Sequence, residues 1–315
     1  MKKTLSKLAL ATAVATAALA PVAVNAAALG MADLAILNLF LVDATTRQPI
    51  TTGITINGTQ NTGNASSDYN GVAGTGSTAN NITSAGNVDV GYRLAGASAA
   101  SIAGAYGGNL ENNTTTHIST PFANYGLGDM FISGTAIGVG GTQGLTRANT
   151  AAVGPTNSGG ANSTIQNSAD VTVTFQATQT RDVFFHLDFN IFVKTLVSLL
   201  AGESAAATAS TGWGMNIANN TTGNQNFFTW NPTELARNFS TFNGLAGSQR
   251  EYSLIGGIDS PTGVLTAGNN YSLTISQNSN ASVRDSRNAV PEPGSMALLG
   301  LGLIGLVAIR RRAVK

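Results

Sequence analysis

The chain has two histidines, His117 and His186, so a three-histidine metal centre is out of reach. His186 and Asp188 stand two apart in Phe185-His186-Leu187-Asp188-Phe189-Asn190-Ile191. On a strand that spacing puts imidazole and carboxylate on one face, where they could share a proton or hold one side of a metal ion. The pattern favours a plainer reading, a solvated face opposite Phe185, Leu187 and Phe189. His117 lies in a Thr-rich stretch with Glu111 as its one near carboxylate in sequence, and is expected at the surface.

Glycoside cleavage needs two carboxyl groups roughly 5 to 9 Å apart. Asp129, Asp170, Asp182, Asp188, Glu203, Glu234, Glu251 and Asp259 supply carboxylates, but no spacing pairs them. Trp213, Trp230, Tyr252 and Tyr271 could stack on sugar rings, or fill a core with their polar tips bonded. The sequence holds no G-x-S-x-G elbow, H-E-x-x-H helix, P-loop or EF-hand calcium loop. With no cysteine, thiol nucleophiles, thiolate zinc sites, iron–sulfur clusters and disulfides are excluded. The expectation is a non-enzymatic protein with no catalytic residue, no cofactor and no bound metal.

Strands would have to position these side chains. Val171-Thr172-Val173-Thr174-Phe175 alternates apolar with hydroxyl, the Phe185–Ile191 run does the same, and Tyr271-Ser272-Leu273-Thr274-Ile275-Ser276 repeats it. The short polar link Gln176 to Arg181 between the first two predicts a hairpin. Asn57-Gly58, Asn243-Gly244 and Gly256-Gly257 read as turns. Asn231-Pro232-Thr233-Glu234 predicts a helix start running through Phe239, and Phe192 to Leu200 fits a strand or a helical stripe.

Residues 53–165 are dominated by Gly, Asn, Thr, Ser and Ala, and residues 166–289 carry most of the aromatics. The first stretch predicts turns and short strands, either as a domain of its own or as edges and loops of one domain. The fold expected is an all-β body, an antiparallel β-sandwich or Greek-key barrel, because a one-sided sheet must cover its apolar face. A β-solenoid is the alternative, although no fixed repeat period is present.

Both ends are specialised. Lys2, Lys3 and Lys7 precede an alanine-rich apolar stretch from Leu8 to Ala23 and a small-residue site at Val24-Asn25-Ala26. These make residues 1–26 a secretory signal peptide cleaved after Ala26 by signal peptidase, following the export translocon. At the other end, Pro291-Glu292-Pro293 is followed by the apolar run Met296–Ile309, then Arg310, Arg311 and Arg312. The prolines hold an extended, accessible tripeptide outside a hydrophobic segment whose cationic cluster resists translocation. As a helix at about 1.5 Å per residue, the run spans only ~21 Å of a ~30 Å hydrocarbon core, which suits a transient, recognised span better than a permanent anchor. Gly300-Leu301-Gly302-Leu303-Ile304-Gly305 matches a dinucleotide fingerprint by letter, but it follows no strand and has no acidic residue about 20 positions on.

This three-part tail, residues 290–315 with the membrane segment at 296–309, resembles the PEP-CTERM sorting signal. The resemblance implies a Gram-negative host, an exosortase as processing partner, an inner-membrane-anchored intermediate, and a final place at the cell surface or in the extracellular matrix. It also implies a setting of exopolysaccharide and biofilm or floc, while leaving the activity of residues 27–289 open.

Without the targeting segments the charge changes sign. Nine basic and fourteen acidic residues remain between 27 and 290, a net of about −5 against +1 for the whole chain. Such a body lacks the basic footprint that nucleic acid or an anionic membrane would require. The reading is an exported, exosortase-processed surface or matrix protein associated with exopolysaccharide; the alternative is an exported lectin or glycan-active enzyme.

Overall fold

The computed structural model describes residues 27–287 except 77, 78, 80, 136, 138–140, 154–160, 199–202, 224 and 243–247. The signal-peptide site at Ala26, the sorting motif, the membrane segment and the terminal arginines lie outside the described residues. No helix among the described residues is long and apolar enough to cross a membrane.

The strands in chain order are β1 (Ala27–Asp43), β2 (Ile54–Tyr69), β3 (Val72–Ala73), β4 (Thr75–Gly76), β5 (Asn81–Ser84), β6 (Val88–Asp89) and β7 (Arg93–Gly96). A short helix α1 (Ala99–Ala103) and a single 3-10 turn (Gly104–Tyr106) open a long connection to β8 (Tyr125–Gly134). There follow β9 (Thr142–Val153), β10 (Ala161–Ala177), β11 (Arg181–Ser198), β12 (Glu203–Asn219), β13 (Gln225–Trp230), β14 (Arg237–Phe242), β15 (Ser248–Asp259), β16 (Gly263–Leu265) and β17 (Asn270–Arg287).

They form two antiparallel sheets packed as a sandwich. Sheet A runs β15-β11-β1-β9-β8-β7-β4, with β16 beside β11 and β6 beside β8; sheet B runs β13-β12-β17-β10-β2-β3, with β14 beside β12 and β5 beside β2. The open two-sheet arrangement is neither a closed barrel nor a solenoid. The composition shift near residue 165 falls inside β10, and strands from both sides of it pair in each sheet.

Sheet B shows the expected alternation at full length. Across β12, β17, β10 and β2 the register aligns Asn216, Thr274, Thr172 and Gln60 on the outer face, and Gly214, Ser276, Asp170 and Thr62 in the next outward row. Between these rows Met215, Ile275, Val171 and Asn61 point inward and are buried. The Ser, Thr and Asn richness of the chain is therefore largely the solvated face of long strands. Residues 53–165, expected to hold short strands, instead contain the 16-residue β2 and the 12-residue β9. Small inward residues make this possible: at Gly63 an added Cβ would overlap Met130 of the facing sheet.

Several local expectations fail for identifiable reasons. Gln176–Arg181 is not a hairpin turn, because β10 and β11 lie in different sheets and the link crosses between them. Pro232–Leu235 closes one turn through Leu235 N to Pro232 O at 3.2 Å, and β14 begins at Arg237 in place of a helix. Gly256-Gly257 sits within β15, opposite Phe189 and Asp188, and Asn57 falls at a register shift inside β2. Asn243-Gly244 lies outside the described residues. Phe192 to Ser198 is strand, and its helix-like apolar run reflects burial on both faces.

That double burial has a cause. The connection Ala97–Asn124, here called the strap, lies on the outer face of sheet A. Its Ile102, Tyr106, Leu110 and Ile118 are buried together with Leu29, Met31, Tyr125 and Leu127 of the sheet. The strap is held by its own side chains: Ser98 caps α1 by accepting from Ser101 N, and Asn113 Nδ2 donates to the carbonyls of Tyr106 and Asn109, each at 2.9 Å.

Candidate functional site

Outer-face residues of sheet A fall into three groups, set by how far the strap reaches. Under the strap, Asp129, Arg147 and Asp33 form one cross-strand row on β8, β9 and β1. Arg147 is fully buried and donates through Nη2 to Asp129 Oδ2 at 3.0 Å and through Nη1 to Asn113 O at 2.7 Å, with Nη2 also on Leu110 O. Asp129 Oδ2 accepts from Asn112 N at 2.6 Å. The guanidinium thus clips the strap to the sheet through two of its backbone carbonyls.

Asp33 has no such cation in direct contact. Asn149 donates its amide to Asp33 Oδ1 at 3.0 Å, and His117 Nε2 lies 3.4 Å from Oδ2. Burial raises the Asp33 pKa to about 8, with Arg147 opposing, and burial lowers that of His117 to about 4. His117 is not a surface residue near Glu111: it stacks on Phe192 with ring centroids 3.7 Å apart. Sequence distance hid this, because Asp33 and Phe192 come from β1 and β11. Tyr106 and Tyr125 complete the cluster with their hydroxyls 2.8 Å apart.

Beyond the strap edge the face is open. His186 and Asp188 do share this face, as the spacing requires, and Asp259 joins them from β15. His186 Nδ1 is 2.6 Å from Asp259 Oδ1, and Nε2 is 3.2 Å from Asp188 Oδ1. Asp259 also meets Arg47 at 3.3 Å, Asp188 accepts from Asn38 Nδ2 at 3.3 Å, and Phe40 packs on the imidazole at 5.4 Å between centroids. Opposite them Phe185, Leu187, Phe189 and Ile191 are buried in the sandwich. Both ring nitrogens are engaged by carboxylates, so the imidazole is held as a cross-strand bridge. No group of three His, Cys, Asp or Glu side chains among the described residues is arranged to hold a metal ion.

Between strap and bridge lies a groove of about 380 Å³. Its floor is the cross-strand row Phe131, Leu145 and Ala35, its rim Gln143, Asn38 and Leu37, and its wall the strap edge at Asn112 and Thr114. A β-bulge between Ile36 and Asn38 inserts Leu37, which turns out to 43% exposure. Bulges of this kind re-aim side chains at binding surfaces. Asn112 takes φ +50° and donates Nδ2 to Asp89 at 3.1 Å, leaving its buried Oδ1 without a hydrogen-bond partner. Two tighter crevices, one against Phe227 and one beneath Trp213, have volumes near 10 Å³, room for about one water.

Three of the four aromatic candidates fill the core, Tyr271 with its hydroxyl accepting from Thr266 N and Trp213 with its buried Nε1 unbonded, while Tyr252 is half-buried. Trp213 and Trp230 are buried edge to face at 5.3 Å, Tyr271 is buried against Phe175, and Arg237 sits 4.0 Å over the ring of Tyr252. Among the carboxylates, Glu251 pairs with Lys194 at 3.1 Å, and Asp170 stands on the outer face of sheet B. The groove residues escaped sequence reasoning because they are common polar and aliphatic types brought together by four separate segments.

Comparison with known proteins bears on the tail. Residues 289–312 match the family model of the PEP-CTERM protein-sorting motif, a span that includes Pro291, Glu292, Pro293 and Arg310 to Arg312. The chain therefore carries a PEP-CTERM sorting motif, which marks an exported protein anchored in the membrane before processing by an exosortase. The match covers the tail and gives the body no family. No curated protein matches the chain. Among solved structures, a chain from the structure of infectious bursal disease virus Gx strain aligns with 92% of this chain and 89% of that one at 10% identity. Its TM-score of 0.09 carries no argument about fold.

Proposed function

We propose that this is a non-enzymatic protein of the cell surface or extracellular matrix, released from its membrane anchor by exosortase and associated there with exopolysaccharide, as in a biofilm or floc. The observation that carries the reading is the sorting motif at residues 289–312, joined to a body whose fully extended strands expose hydroxyl and amide groups in register. Such a surface is uncharged over long stretches and exchanges hydrogen bonds readily with water and with sugar hydroxyls. Carbohydrate recognition without catalysis is favoured over a glycan-active enzyme by the groove, whose lining includes no carboxylate.

The test is sorting. Replacing Pro291, Glu292 and Pro293 with alanine removes the recognised element and is expected to leave full-length protein in the inner membrane, while wild type is trimmed and recovered at the surface or in the matrix. Release and trimming of the triple variant at the wild-type level would defeat the sorting role. Extraction of the processed protein by glycoside hydrolase treatment of the matrix tests the polysaccharide association.

A further inference from the structure

We infer that the groove on the outer face of sheet A is a binding site for one or two sugar units of a neutral glycan chain. The inference says where the proposed polysaccharide association takes place, and it rests on that reading. Its volume of about 380 Å³ falls within the ~300 to 1,000 Å³ of small-ligand sites.

The lining selects the class of ligand. Asn38, Asn112 and Gln143 each offer an amide, which donates and accepts. A sugar hydroxyl does the same, so the match needs no charge on either side. Asn112 is the most firmly held of the three, its backbone nitrogen donating to Asp129 and its Nδ2 to Asp89. Below the amides, Phe131 and Leu145 give an apolar floor of the kind that receives the C–H face of a pyranose ring, with Leu37 rising beside it on the bulge.

The surroundings disfavour an anionic ligand. The formal charges next to the groove are Asp188, bonded to Asn38, and Asp129 and Asp89, bonded to Asn112. Arg147 is spent on Asp129 and the strap carbonyls and is fully buried. A polyanion would therefore meet carboxylates and no available cation, and be repelled.

Affinity electrophoresis of the processed, exported protein tests this. The gels contain dextran, pullulan, hydroxyethyl cellulose or the neutral fraction of the producing cells' own exopolysaccharide, with alginate as the anionic comparison. Retardation is expected with at least one neutral polymer and not with alginate. Leu37→Asp and Gln143→Ala alter solvent-facing groove residues and should each weaken that retardation about tenfold, with urea melts unchanged. Thr172→Ala, on the outer face of sheet B, should leave it intact. If wild type is retarded but both groove variants behave alike with it, the groove is not the site, and the polysaccharide association stands on other surfaces. Retardation by alginate alone, or by no polymer, overturns the inference. In that case glycoside hydrolase treatment of the matrix still decides the wider reading separately, since the protein is either released with the polysaccharide or left behind.

Discussion

Asp33 Oδ2 and His117 Nε2 face each other at 3.4 Å across the seam between β1 and the strap, and neither atom has a hydrogen-bond partner elsewhere among the described residues. One proton resolves both. Burial holds Asp33 protonated, with a pKa near 8, and holds His117 neutral, with a pKa near 4. At neutral pH the carboxylic acid can then donate to the imidazole, and the seam carries no unpaired charge.

A pH dependence of stability follows. The groups facing this pair are Arg147 on β9, Asp129 on β8, Lys194 on β11, Glu251 on β15 and Tyr106 on the strap. Between the ordinary Asp value of 3.8 and about 8, the folded state holds a proton on Asp33 that the unfolded chain has lost, so this term lowers stability as pH rises. Between about 4 and the ordinary His value of 6.5, His117 has the opposite effect, because the unfolded chain binds the extra proton. The two cancel below pH 6.5, and the Asp33 term acts alone from there to about pH 8. In urea melts this pair contributes no net slope in the lower window, where Asp129, Glu111 and Asp170, with raised pKa values, still lower stability as pH rises, and a fall in the upper one of no more than ~1.4 kcal/mol per pH unit. Asp33→Asn should remove the fall; an unchanged profile in that variant would assign it to other groups.

Arg147 ties the strap to the sheet, and its removal should free the strap before it unfolds the sandwich. Arg147→Ala leaves Asp129 buried without its cation and the carbonyls of Leu110 and Asn113 without this donor. Breaking a buried pair from one side typically costs ~3 to 5 kcal/mol. Limited proteolysis should then cut first between Gly107 and Phe122, and faster than in wild type. First cuts elsewhere would mean that the apolar contacts of Ile102, Tyr106 and Ile118 hold the strap without the guanidinium.

The legible and illegible parts of the fold divide along one physical line. Val171 to Phe175, Phe185 to Ile191 and Tyr271 to Ser276 were readable because one face is buried and the other wet, so composition alternates with the pleat. The true hairpin turn at Asn70-Gly71 went unread although its letters carry the signal: φ of +52° and +76° and the pairing of Tyr69 with Val72 fit a two-residue type I′ loop, for which Asn-Gly is the standard signal. Gly256-Gly257 misled because those glycines lie opposite large neighbours, Asp188 and Phe189, inside a strand. The buried cluster and the groove gave no local signal. Asp33, His117, Arg147 and Phe192 are far apart in sequence, and only pairing across three strands and the strap unites them.

Stability should separate the two faces of β11. Phe189 is 1% exposed in the core, so Phe189→Ala is expected to cost ~3 to 5 kcal/mol from lost burial and a residual cavity. His186→Ala removes contacts to two carboxylates on a side chain 31% exposed, and exposed ion pairs contribute ~0 to 1 kcal/mol, less at high salt. Urea melts of both variants at low and high salt check the contrast. A loss for His186→Ala as large as that for Phe189→Ala would mean the bridge is a principal tie between β11 and β15.

The last strand controls completion of the fold. β17 lies between β12 and β10 at the centre of sheet B and pairs with both along nearly its whole length, just as β1 lies between β11 and β9 in sheet A. It ends at Arg287, next to the start of the sorting motif at 289. A chain beginning at Ala27 and stopped after Ala289 retains every described strand and should melt as the processed protein does. One stopped after Asn269 loses the centre of sheet B and leaves β10 and β12 with long unpaired edges, which invite aggregation. The shorter chain is expected to be insoluble or rapidly digested under conditions where the longer one resists protease. A cooperative melt from the shorter chain would show that sheet A and the strap fold without sheet B, and that β17 docks onto a body already formed.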